Sequence, residues 1–77
     1  MDEHVMVHKA NIIAQFFAGY PREEAVEGVA GHLERFWEPR MRRQLLQYVA
    51  TDGGGLHELV LEASKRPGVS PGSPEGR

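Results

Sequence analysis

Apolar positions recur along this chain with the period of an α-helix, in four blocks separated by proline and glycine. In the first block Val5, Met6, Ala10, Ile12, Ile13, Phe16 and Phe17 fall on one broad face at about 100° per residue, with His8, Asn11 and Gln15 opposite. Asp2 stands where an N-cap carboxylate belongs, and Gly19-Tyr20-Pro21 ends the segment. Lys9 lies inside the apolar arc, where the expected reading is a stem along the core with its ammonium reaching water, and the alternative a buried ion pair with a partner chain. A second stripe, Ala25, Val26, Val29, Ala30, Leu33, Phe36 and Trp37, begins from Pro21 or Arg22, with Glu23 and Glu24 in the first turn where the helix dipole favours them. Gly28 and Gly31 lie off this stripe on one face, where a close backbone approach is one reading and a tolerated weak helix the other.

Pro39 disfavours helical backbone at Glu38 and is itself preorganised for the first position of a new helix. The spacing therefore predicts a corner, with one helix ending near Trp37 or Glu38 and another running from Pro39 to Val49 or Ala50. Met41, Leu45, Tyr48 and Val49 form the third stripe, with Leu46 beside Arg42 on its flank. Thr51-Asp52-Gly53-Gly54-Gly55 stops that helix, and Leu56, Leu59, Val60 and Ala63 make a short fourth stripe. No alternation of period two appears. The pattern predicts an all-α fold, a small antiparallel bundle of three longer helices and one short one over residues 1–64. Residues 65–77, rich in proline, glycine and serine, are expected to form a flexible, disordered tail.

Size changes this picture. A 77-residue chain is one domain at most, and folding at such a length buries only about 60% of the unfolded surface. There are no cysteines, so disulfides and zinc–thiolate sites are unavailable as reinforcement. A partner protein is left as the missing source of stability. The opening MDEHVMVHK has no apolar core like that of a secretory signal, and no run approaches the roughly 20 apolar residues of a membrane span. A cytoplasmic protein is expected. The net charge of −2 argues against a general nucleic-acid binder.

Candidate chemistry is sparse. His4 and His8 share a helical face but have only Asp2 and Glu3 near them as further ligands. Glu23, Glu24, Glu27 and Glu34 read as a solvated face, and Ser64, Ser70 and Ser73 have no helper base. The three glycines lack the lysine and preceding strand of a phosphate loop. These patterns point away from an enzyme and from a small-molecule substrate. The richest stretch is His32 to Arg43, which holds the only tryptophan together with Arg35, Arg40, Arg42 and Arg43. Its arginines are open to three readings: a solvated charged face, a phosphate contact, or a docking surface of the tryptophan-and-arginine kind that dominates interface hot spots. The docking reading selects Trp37, Arg40, Arg42, Leu46, Arg35 and His32 as partner-binding, with Phe36 assigned to the core and Trp37 to the rim. Neither Arg40 nor Arg42 is then needed by the bundle.

The string HLERFWEPRMRRQLL, with Ala10-Asn11-Ile12-Ile13-Ala14-Gln15-Phe16-Phe17 upstream and Gly55-Leu56 downstream, resembles the small delta subunit of cytosolic, NAD-dependent, molybdenum-containing formate dehydrogenases. The likeness covers about residues 5 to 63. Lys9 and the run after Ser64 depart from it. It implies a non-catalytic accessory subunit with larger dehydrogenase subunits as partners. It also implies no cofactor in this chain, the molybdenum centre, iron–sulfur clusters and flavin belonging to others. The alternative is a free-standing regulatory or nucleic-acid-associated helical module.

Overall fold

The computed structural model describes residues 2–70. Helix α1 spans Glu3–Phe17, and the Asp2 carboxylate accepts the His4 N–H at 2.8 Å, capping its first turn. Its buried residues are Met6, Ala10, Ile13 and Ala14, a stripe narrower than the sequence arc. Val5, Ile12 and Phe16 stay exposed. Helix α2, Arg22–Phe36, buries Ala25, Val26, Val29, Ala30 and Leu33. Helix α3, Pro39–Thr51, begins on the proline as the spacing predicts. It buries Leu45 fully and leaves Met41, Leu46, Tyr48 and Val49 half-buried against the core. Helix α4, Glu58–Ala63, contributes Leu59, Val60 and Ala63. The all-helical bundle expected from the pattern is what these elements form.

The centre of the bundle is α2, which packs against α1 and α4. The aromatic ring of Phe17 lies over Gly28, and Ile12 shares a hollow with His32, so α1 and α2 run antiparallel. A Cβ at Gly28 would come within 2.5 Å of that ring. The close backbone approach read into the two glycines is not found: at Gly28 the near neighbour is a side chain. At Gly31 the space is open.

The glycine stretch after α3 turns the chain with left-handed backbone at Gly53 (φ 74°) and Gly55 (φ 83°), where other residues would be strained. Asn11, read from the sequence as a solvent-facing residue, ties this turn down. Its Nδ2 donates to the Gly55 carbonyl at 2.7 Å, and its Oδ1 accepts the His57 N–H at 2.9 Å. The Tyr48 hydroxyl donates to the Gly54 carbonyl. Burial, and then the carboxylates of Asp52 and Glu3, raise the pKa of that hydroxyl above the ordinary phenol value. His57 caps α4, its Nδ1 accepting the Leu59 N–H at 3.0 Å.

Two expectations are corrected. The packed chain does not stop at Ser64: Pro67–Val69 form a 3-10 turn against α2, with Val69 completely buried. Arg66 reaches Glu23 at 3.0 Å and Glu27 at 3.8 Å. One valine placed by a proline turn suffices to join the core, without any periodic pattern. The rest of the expected tail, 71–77, lies outside the described residues. The second correction concerns the corner. Trp37 is inside, 7% exposed, and Phe36 is outside at 70%, the reverse of their assignment.

Candidate functional site

The corner is built by hydrogen bonds to one guanidinium. Helix α2 ends at Phe36, and Trp37 takes extended backbone (φ −92°, ψ 132°), which turns its indole back into the core. The last carbonyls of a helix have no partner within it and carry partial negative charge. Arg42, one turn into α3, supplies them: its Nη1 donates to the carbonyls of Glu34 (2.8 Å), Trp37 (3.1 Å) and Leu33 (3.4 Å). Its Nε is buried without a hydrogen-bond partner. Trp37 and Arg42 together lock the α2–α3 corner. Arg42 was expected to be dispensable for the bundle, and here it is part of it. Leu46 packs half-buried against the core. Three of the six residues selected from the sequence thus have their surfaces engaged inside the domain.

The other three face outward. Arg40 and Arg35 are exposed, and His32 is half-buried with its ring 4.7 Å from that of Phe36. Around His32 the molecule presents a continuous surface that the sequence reading missed. Phe16 (72% exposed), Ile12 (50%) and Phe36 (70%) project from α1 and α2. Phe16 stands edge-on to Phe17, with ring centroids 5.0 Å apart. Two shallow hollows adjoin here, sharing Phe17 and His32. One is apolar, lined by Ile12, Ile13 and Phe16, and the other runs past Gly28 and Gly31 to Arg35 and Phe36. The missed signal was the width of the apolar arcs: each is broader than the elements packed against its helix cover.

Charge separates along the same lines. The ion pairs Arg22–Glu58, Arg22–Glu62, Lys65–Glu62, Arg66–Glu23 and Arg66–Glu27 all join the start of α2 to α4 and the segment after it, apart from Lys65–Glu62 within that side. Arg35, Arg40 and Arg43 make no ion pair among the described residues. His4 and His8 line a separate hollow with Glu3, Asn11 and Tyr48. Among the described residues no group of three or more histidine, cysteine or acidic side chains is placed to hold a metal ion. No described helix is long and apolar enough to cross a membrane.

These features define a small helical domain, closed on one flank of its central helix and aromatic on the other. Residues 6–64 match the family model described as the NADH-dependent formate dehydrogenase delta subunit, FdsD. The chain belongs to that family, and so is a subunit of a formate dehydrogenase complex. No curated protein and no solved structure matches it.

Proposed function

We propose that this delta subunit is a non-catalytic accessory chain that acts by docking onto larger subunits of the dehydrogenase in the cytoplasm. In this reading it binds no cofactor of its own. The observation that carries it is the pair Phe16 and Phe36, each more than two-thirds exposed on a domain small enough to need every apolar contact. Large aromatics left in water beside a folded core are the raw material of an interface. Purification of a tagged copy from the native host tests it. The larger, molybdenum-binding chain should be retained stoichiometrically, and the separated delta chain should neither oxidise formate nor reduce NAD. Recovery of the tagged chain alone, or formate oxidation by the isolated chain, would overturn the reading.

A further inference from the structure

We infer that the α1–α2 face seats on a surface of the larger subunit that offers apolar pockets to Phe16 and Phe36 and a carboxylate to Arg35. The inference rests on the docking reading above and names the surface and the chemistry opposite it. Phe16 and Phe36 come from different helices and flank one pair of adjoining hollows, with Ile12 beside the first and His32 between them. Phe17, whose ring covers Gly28, meets Phe16 edge-on, and the His32 ring lies tilted against Phe36, so both exposed rings have an aromatic neighbour before any partner arrives. An aromatic pair with a polar border is the usual anatomy of an interface centre and its rim.

Charge decides what faces it. Arg35 lines the same hollow as Phe36 and has no ion pair among the described residues. The one carboxylate lining that hollow, Glu27, has Arg66 at 3.8 Å on its other side. The face therefore presents apolar bulk bordered by an unneutralised guanidinium, whose fork matches a carboxylate. A second copy of this chain is a poorer fit. A two-fold contact centred on the ridge brings Arg35 toward its own mate, and the carboxylate lining that hollow, Glu27, is already engaged by Arg66. A standard interface of about 800 Å² per partner would also cover roughly one-sixth of the 4681 Å² surface, more than five exposed apolar side chains supply alone. A larger partner can wrap that rim.

The test uses the assembled complex, co-expressed with a tagged large subunit. Phe16→Ala with Phe36→Ala should leave the helical spectrum of the delta chain unchanged and weaken its retention by about 30-fold or more, the scale of a lost hot spot. Arg35→Glu should weaken retention and reduce its salt sensitivity, whereas Arg43→Glu, an equal charge change on α3, should do neither. Should the double variant lose helix, Ile12→Asp provides the same readout from an exposed position. Normal retention of all these variants overturns this placement while leaving docking itself intact; failure of the wild-type chain to be retained overturns the docking reading first. A dimer of the isolated chain abolished by the phenylalanine changes, or retention lost on nuclease treatment, would also overturn it, pointing to a second copy or to nucleic acid.

Discussion

The two flanks of α2 are made from similar residues and finished differently. On one, α4 and the Pro67–Val69 turn cover Val26, Val29, Ala30 and Leu33, and Arg66 and Arg22 join the elements through exposed ion pairs. On the other, α1 packs alongside with Phe17 lying over Gly28, and Ile12, Phe16 and Phe36 are left in water. Leucine and phenylalanine have similar reasons to be buried, so the difference lies in what the chain has left to cover them with. The sealed flank holds the domain together. The open one is available for a partner.

The largest effect separating the flanks is expected at the corner, where neighbours point opposite ways. Trp37→Ala should cost about 3–5 kcal/mol, comparable with the whole stability of about 3–5 kcal/mol that a core of this size supplies. The variant should show no cooperative melt. Phe36→Ala removes a ring that is mostly solvated and should change stability by less than about 0.5 kcal/mol. A larger loss in Phe36→Ala than in Trp37→Ala would mean that the corner packs as the sequence pattern suggested.

Next comes the seal. Ending the chain at Ser64 removes the buried Val69 and the Arg66 pairs. Burying a valine is worth about 1.5–3 kcal/mol, and exposed ion pairs add at most about 1 kcal/mol. A fall in melting temperature is expected, and Val69→Ala in the full chain should reproduce most of it. An unchanged melt in both would show that the turn only rests on α2. Arg42→Met follows, at about 1–3 kcal/mol, because it leaves the carbonyls of Glu34 and Trp37 without their donor. Arg40→Met, on the exposed side of the same helix, should be silent in the melt.

Helix number, the proline start of α3 and the glycine turn were legible because each follows from local rules. The partner of each surface was not. Phe36 and Trp37 lie at opposite edges of one helical stripe, so periodicity cannot rank them. The choice is made by the extended backbone at Trp37, which takes it off the helical rotation. Arg42 looked like a docking cation because its role is to carbonyls of another helix, and backbone acceptors leave no trace in a sequence pattern. The same holds for Asn11, whose partners lie 44 and 46 residues away. Of the expected docking residues, His32 and Arg35 were placed on the open face by the fold, and the aromatics beside them had been credited to the core.

The smallest expected effect is also the most discriminating between the flanks, because it concerns two glycines one turn apart. Gly31 has nothing within 4 Å of where a Cβ would stand. Alanine there should stabilise the isolated chain by about 0.5–1 kcal/mol, the difference in helix preference. At Gly28 the same methyl would meet three ring atoms of Phe17 at 2.5–2.9 Å. The ring must swing outward, losing its seat and disturbing Phe16 beside it. The helix-preference gain is then offset, and Gly28→Ala should melt at or below the wild-type temperature. Thermal melts of the two variants, run side by side, check this ordering. If both rise equally, Phe17 is loosely held and the open flank is not preorganised. If only Gly31→Ala rises, its added methyl, in the hollow shared with Arg35 and Phe36, becomes a probe of docking that does not compromise the fold.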